Sequence, residues 1–311
     1  MTPILCGVDV SKDALDACVR HPEGDSVARF ANTPDGIADL AAFCRTHAVG
    51  LVVMEATGGY ERLPFGLLWA EALPAAIVNP RSVRHFARAM GRLEKTDRLD
   101  ASLIAWYAET RRIQPQPPAP DAQHQLAARV LRMRQLTEAR VAQTNQRRQV
   151  TDPSVRASFE PVIALLNRQL RDREAEVARL IAADPLWARL DAAFRTIKGV
   201  ANRTVARLMA ELPEIGSISN KAVAKLAGVA PIAQDSGKAK GKRPIRGGRA
   251  SVRSILFLVA EVVRKHEPDF RDFHARLTAA GKPKRVVRVA LAHKLLTRLN
   301  AKAREVRQLH A

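Results

Sequence analysis

The chain has 311 residues and carries 51 Lys and Arg against 31 Asp and Glu, a formal net charge of +20. The length suits two or three domains, and so large a cationic excess favours a polyanionic partner, most often nucleic acid. No apolar run reaches the roughly 18 residues of a membrane span, Cys6, Cys18 and Cys44 form no CxxC pair, the eight histidines show no zinc spacing, and aromatics are 5% of the chain. A membrane protein, a disulfide scaffold, a zinc module and recognition dominated by base stacking are thereby set aside.

The first residues lead directly into a strand and carry no signal-peptide pattern, so a reducing cytoplasm is expected, with the cysteines as small buried hydrophobes. Residues 3–10 alternate and read as a strand; 14–20 and 26–31 read as two more, turning at His21-Pro-Glu-Gly24, which gives an antiparallel meander. Thr33 and Pro34 open a helix to about His47. Residues 51–54 form an apolar strand ending at Glu55, a Gly-Gly loop leads to a helix over 61–72, residues 75–78 form a last strand, and helices follow over 80–90 and 97–111. Three antiparallel strands, then helix, strand, helix, strand, helix, is the element order of an RNase H-like domain. In that arrangement the ends of the first and fourth strands lie side by side.

Four prolines in Gln114–Pro120 make a stiff linker. Two helical stretches follow, 121–150 and 154–183, and the second carries an apolar stripe at Val155, Phe159, Val162, Leu166, Leu170, Val177 and Leu180. A hairpin or coiled coil serving dimerisation and an intramolecular bundle both satisfy that stripe. From 186 onward the chain reads as helical. Ile197–Met209 resembles a helix-hairpin-helix with Ala201 where the second glycine is usual; a helix over 219–227, a Gly- and Lys-rich loop over 235–248, and helices over 249–265 and 283–308 complete it. The expected fold is α/β plus all-α, divided into 1–114, a linker 115–120, a helical arm 121–185 and a C-terminal domain 186–311.

Four acids stand out. Asp9 lies in Gly7-Val-Asp-Val-Ser-Lys12, Glu55 in Val53-Met-Glu-Ala-Thr-Gly-Gly-Tyr-Glu61, and Asp97 and Asp100 in Lys95-Thr-Asp-Arg-Leu-Asp-Ala101. Asp9 and Glu55 close apolar strands, while Asp97 and Asp100 share one helix face at i, i+3. Clustered carboxylates suit a hard divalent cation such as Mg²⁺, and in so basic a chain a phosphodiester is the natural substrate. Singly, each also fits a cap, a turn or a surface ion pair. Asp235-Ser236-Gly237 precedes a run over 238–253 with seven Lys or Arg and no acid: Lys238, Lys240, Lys242, Arg243, Arg246, Arg249 and Arg253. Ser236 is placed where a hydroxyl attacks a phosphate, although Asp-Ser-Gly is also a common turn. Arg81, Arg84, Arg88 and Arg92 recur at helical spacing beside the acids. Lys282, Lys284, Arg285, Arg288, Lys294, Arg298, Lys302, Arg304 and Arg307 load the last helix, and phosphate contact without base reading is expected of both sets.

At these residues the chain resembles the DEDD transposases, or recombinases, of the Piv-related class of bacterial insertion sequences (IS one-ten type). The three acidic segments look like the motifs of that family's RuvC-like N-terminal domain. The segment 197–212, Leu226-Ala-Gly-Val-Ala-Pro231, and the stretch from Ser236-Gly to Gly-Gly-Arg-Ala-Ser-Val-Arg253 look like its C-terminal transposase domain. The resemblance implies that Asp9, Glu55, Asp97 and Asp100 bind Mg²⁺ and that Ser236 forms a phosphoserine link to double-stranded DNA at element ends and target. It further implies a homo-oligomer of two to four subunits, with the serine of one protomer beside the acids of another, a structured guide RNA, and a cytoplasmic, nucleoid-associated setting. A RuvC-like junction endonuclease using water as nucleophile, and a binding protein with a degenerate site, are the competing readings.

Overall fold

The computed structural model describes residues 3–21, 23–92, 97–233 and 243–310, with the side chains of 97–99 excepted. It divides into two compact units, 1–119 and 120–311.

The first unit is a five-stranded sheet flanked by helices. Its strands are β1 (Ile4–Val10), β2 (Ala14–Val19), β3 (Ser26–Ala31), β4 (Val49–Glu55) and β5 (Ala75–Val78). They lie in the order β3-β2-β1-β4-β5. The first three pair antiparallel, and β1–β4 and β4–β5 pair parallel. This is the mixed-sheet order of an RNase H-like domain, as the element order led one to expect. The helices are α1 (Pro34–Thr46), α2 (Arg62–Ala70), α3 (Pro80–Ala89) and α4 (Asp97–Arg111). Thr33 caps α1, its hydroxyl accepting from Gly36 N, with Pro34 in the first turn where no amide is needed.

Strand alternation divides the two cores. Cys6, Val8 and Val10 of β1 and Val52 and Met54 of β4 pack with Ile37, Leu40 and Leu68 under α1 and α2. Leu5, Leu51 and Val53 face the other way, with Val83 of α3 and Ile104, Tyr107 and Ala108 of α4. By the same period of two, Gly7 and Asp9 of β1 and Glu55 of β4 belong to the α4 side. The parallel register sets Val8 opposite Met54, which leaves Asp9 and Glu55 side by side at the ends of their strands. Gly7 lets α4 approach: a Cβ there would lie 2.5 Å from Ala105 N and closer still to Ala101 O. All three cysteines are buried free thiols.

The second unit is helical: α5 (Asp121–Gln149), α6 (Pro153–Ala157), α7 (Phe159–Ala183), α8 (Pro185–Arg195), α9 (Asn202–Glu211), α10 (Asn220–Leu226), α11 (Ala250–His266), α12 (Pro268–Ala279) and α13 (Lys284–Gln308). α5 and α7 pack on each other. They share one core with the helices downstream, running from Leu126 and Val177 through Phe194 and Leu256 to Leu299. The apolar stripe expected over 154–183 is divided between α6 and α7 and is buried only in part: on α7 Leu170 and Val177 are 2% and 3% exposed and Val162 is 42% exposed, while Val155 on α6 is 49% exposed. α8 and α9 pack around a turn at Gly199, where φ is +101°. The helix α12 was not expected from the sequence. Its signal is Pro268 in the first turn followed by Phe270, Phe273 and Leu277 at helical spacing, hidden because the neighbouring charges dominate the pattern.

The basic load of α13 also departs from expectation. Lys294 donates to Asp269 O at 2.7 Å, and Arg298 Nη2 lies 2.5 Å from Asp269 Oδ2. Arg304 donates to Ile218 O, and Arg307 to Ile215 O and Pro213 O. These four cations hold the fold together rather than forming a free face. Asn300, fully buried, ties α13 to the 216–220 segment: its Oδ1 accepts from Gly216 N at 2.8 Å and its Nδ2 donates to Ile218 O and Asn220 Oδ1.

Candidate functional site

The acids sit where the sheet pattern sends them. Asp9, Glu55 and Asp100 line one cleft of about 180 Å³ together with Pro80, Val83, Arg84 and Leu103. Each carboxylate arrives from a different element: β1, β4 and the first turn of α4. Asp97 opens α4 one turn before Asp100, and its side chain lies outside the described residues. All three lining acids are half-buried. Arg84 of α3 contributes a cation to the same cleft, while Arg81 and Arg88 on that helix are exposed.

Two further residues, Glu61 and Asn32, tie the loops that follow β1 and β4. Glu61 is 8% exposed, and its Oε2 accepts from Thr57 N at 3.1 Å, Thr57 Oγ1 at 3.0 Å and Gly59 N at 2.8 Å. Burial pushes the Glu61 carboxyl up, but these hydrogen bonds outweigh it and hold it below its usual range. The loop that follows Glu55 is thereby closed on itself. Asn32 Nδ2 donates to Ser11 O at 2.9 Å and Tyr60 O at 3.4 Å, tying the turn after β1 to the loop after β4. Glu61 was visible in the Glu-Ala-Thr-Gly-Gly-Tyr-Glu segment; Asn32 had no local signal, because its partners are distant in sequence.

The donor chemistry of the cleft fits a hard divalent cation, since its ligating atoms are carboxylate oxygens. Among the described residues no group of three or more His, Cys, Asp or Glu is close enough to hold an ion.

Ser236, Lys238, Lys240 and Lys242 lie outside the described residues. The chain on either side of them is tied together: Pro231 and Ile245 form an isolated antiparallel bridge, and Ile232 N donates to Pro244 O at 3.0 Å. Arg243 and Arg246, on either side of Ile245, are exposed. Arg249 is instead engaged inside the fold, with Nη1 and Nη2 each 2.6 Å from the Glu214 carboxylate and Nη1 3.0 Å from Glu211 O. Arg253 Nη1 donates to Gly247 O at 2.7 Å. Burial raises the Glu214 carboxyl, but the Arg249 guanidinium brings it below the usual range. These two arginines set the course of the Gly-Gly-Arg segment.

Comparison with known proteins matches residues 6–153 to a family model described as a transposase, of the DEDD type of IS110, and residues 191–275 to one described as the transposase IS116/IS110/IS902 family. The chain is similar to the pilin gene-inverting protein of Moraxella bovis, at 27% identity over 308 residues, covering 96% of this chain and 94% of that protein. The pilin gene-inverting protein of Moraxella lacunata matches with the same identity and coverage. Among solved structures, T. thermophilus RuvC in complex with a Holliday junction substrate aligns at 12% identity and a TM-score of 0.28, over 37% of this chain and 99% of that one. No described helix is long and apolar enough to cross a membrane.

Proposed function

Because the chain belongs to the IS110-type transposase family, we propose that it cuts and rejoins double-stranded DNA at the ends of its element and at a target, through a covalent phosphoserine at Ser236. The observation that supports this most is the convergence of Asp9, Glu55 and Asp100 beside Arg84 in one cleft of an RNase H-like sheet. The similar Moraxella proteins are named for inverting a gene, an outcome that requires strands to be cut and rejoined.

In this reading Asp9, Glu55, Asp97 and Asp100 would hold Mg²⁺, which supplies Lewis-acid stabilisation of charge on the phosphoryl oxygens. The residues themselves do the rest. Ser236 Oγ attacks the scissile phosphorus; the O–P bond forms as the bond to the departing deoxyribose oxygen breaks. The serine proton leaves to solvent, and the departing oxygen takes up a proton. Rejoining reverses the exchange: a deoxyribose hydroxyl attacks the phosphoserine and returns the hydroxyl to Ser236. One phosphodiester replaces another, so no external energy source is needed. Arg84 is placed to pair with phosphate oxygens at the acids. Lys238, Lys240, Lys242, Arg243 and Arg246 grip the backbone near the serine, as Arg81 and Arg88 do near the acids. Arg249 and Arg253 act indirectly, by holding the loop.

The assembly is a homo-oligomer in which one subunit's serine serves another's acids. Val141, Val155, Val162 and Leu165, all exposed on α5–α7, support association of that hairpin with a second copy. Selection of donor and target by a structured RNA completes the reading, consistent with a basic surface poor in base-reading aromatics.

The test is strand exchange on a plasmid carrying the gene with its flanks. Ser236→Ala and Asp100→Asn should each abolish it. Cleavage that persists in Ser236→Ala but is lost in Asp100→Asn would reassign the protein as a RuvC-like endonuclease using water.

A further inference from the structure

Once Lys294, Arg298, Arg304 and Arg307 are accounted for as internal ties, the free cations of α13 are concentrated at its start. Lys282, Lys284 and Arg288 line a cavity of about 490 Å³ with Glu261, His274, Thr278 and Val287, formed where α11, α12 and α13 meet. Among the described residues no carboxylate pairs with Lys282, Lys284 or Arg288. The one acid in the wall, Glu261, is 3.1 Å from Arg264 and so partly neutralised. Arg288 lies 5.4 Å from the Phe257 ring, which orients its guanidinium.

The cavity is also built on a fixed turn. Gly281, at φ +68°, donates to Thr278 O at 2.9 Å, Lys282 N donates to Leu277 O at 3.1 Å, and Pro283 sets the entry to α13. α13 is 25 residues long, begins with no capping side chain and has no acid in its first turn. Its positive end is therefore not offset locally, where an anion is favoured. The Thr278 hydroxyl donates to His274 O at 2.9 Å, which leaves its oxygen able to accept but not to donate further.

We infer that this cavity, which shares no lining residue with the acid cleft, is a phosphate-binding site that takes a backbone phosphate of bound duplex DNA. The choice of ligand rests on the proposed function, whereas the anion chemistry rests on the cavity alone. A phosphate is recognised here by two ammonium groups, one oriented guanidinium and a helix N-terminus, and no Phe, Tyr or Trp lines the cavity. The site therefore contributes affinity and register without sequence preference.

The experiment measures binding of the full chain to a labelled duplex by fluorescence anisotropy, across about 50–200 mM salt. Lys282→Gln/Lys284→Gln/Arg288→Gln should weaken binding and flatten the slope of log K against log salt by at least about 0.9, the loss expected for one phosphate contact. Arg171→Gln/Arg179→Gln/Arg189→Gln removes as much charge from exposed positions elsewhere in the same unit, and should flatten it less. Glu261→Gln should tighten binding. An unchanged slope in the first variant, or equal flattening in the second, overturns the site. Thermal stabilisation by inorganic phosphate that depends on the three cations, with no change in slope, shows a free-anion pocket and overturns the backbone assignment. Ser236→Ala should bind with the wild-type slope while losing strand exchange, so failure of the recombination chemistry and failure of this site give different results.

Discussion

Gly7→Ala changes one methyl group in a strand that carries an acid two residues later. Its Cβ would meet backbone atoms of α4, 2.5 Å from Ala105 N, where ordinary contact begins at 3.4 Å. Backbone cannot rotate aside, so α4 must retreat by about 1 Å. Ala101, Ala105 and Ala108 are each at most 1% exposed, and no slack separates the helix from the sheet. Overpacking of this kind costs about 1–3 kcal/mol, less about 0.5 kcal/mol regained by replacing a strand glycine. For a unit of this size the thermal midpoint should fall by roughly 4–10 °C. The shift also moves Asp100 away from Asp9. A misplacement near 1 Å costs about 10²-fold in rate, so strand exchange, measured well below the midpoint on protein shown to be folded by circular dichroism, should drop by about that factor. Gly66→Ala, in α2 with nothing within 4 Å of the added methyl, is the control and should be neutral or stabilising by up to about 1 kcal/mol. Wild-type stability and activity in Gly7→Ala would refute the close packing of α4 on β1 and the placement of Asp100 that depends on it.

Three further outcomes follow from the described contacts. Glu61→Ala removes the acceptor for three donors and should cost about 2–3 kcal/mol, against about 1 kcal/mol for Glu61→Gln, whose carbonyl can take over the same three bonds; urea titration separates the two. Asn300→Leu strands Gly216 N in the core, while Ile218 O keeps its bond from Arg304, and should cost about 1–3 kcal/mol, lowering the midpoint of the second unit by roughly 2–12 °C. Glu61, Glu214 and Asp269 all have carboxyls held below their usual range, Asp269 because the Lys294 and Arg298 hydrogen bonds outweigh its burial. Their contribution to stability should be complete above the unfolded-state values near pH 4 and be lost as pH falls through the lower folded-state values. Midpoints measured from pH 7 downward should hold to about pH 5 and then decline, and Asp269→Asn should soften the acid limb.

The sheet was legible because strand alternation and turn residues are local, and Asp9 and Glu55 at strand ends with matching parity were enough to bring them together. Asp100 was legible as a helix residue that could meet Asp9; the close approach that brings it there depends on Gly7, whose role appears only once α4 is laid across β1. The second unit was harder. A Lys or Arg on a helix looks the same in sequence whether it meets water, an aspartate or an orphaned carbonyl. Lys294, Arg298, Arg304, Arg307 and Arg249 were therefore grouped with surface cations, although their partners lie 25 to 94 residues away. The stripe on α7 was read correctly as apolar, but periodicity alone does not tell which half of a long helix finds a core.

The most direct measurement is a covalent trap. The purified protein, co-expressed with the DNA flanking its gene, is incubated with labelled element-end DNA and Mg²⁺ and resolved on a denaturing gel. A slow protein–DNA band that disappears in Ser236→Ala and in Asp9→Asn is the expected result. Free cleaved DNA, with no covalent band and no change in Ser236→Ala, would contradict it and leave the acids acting with water.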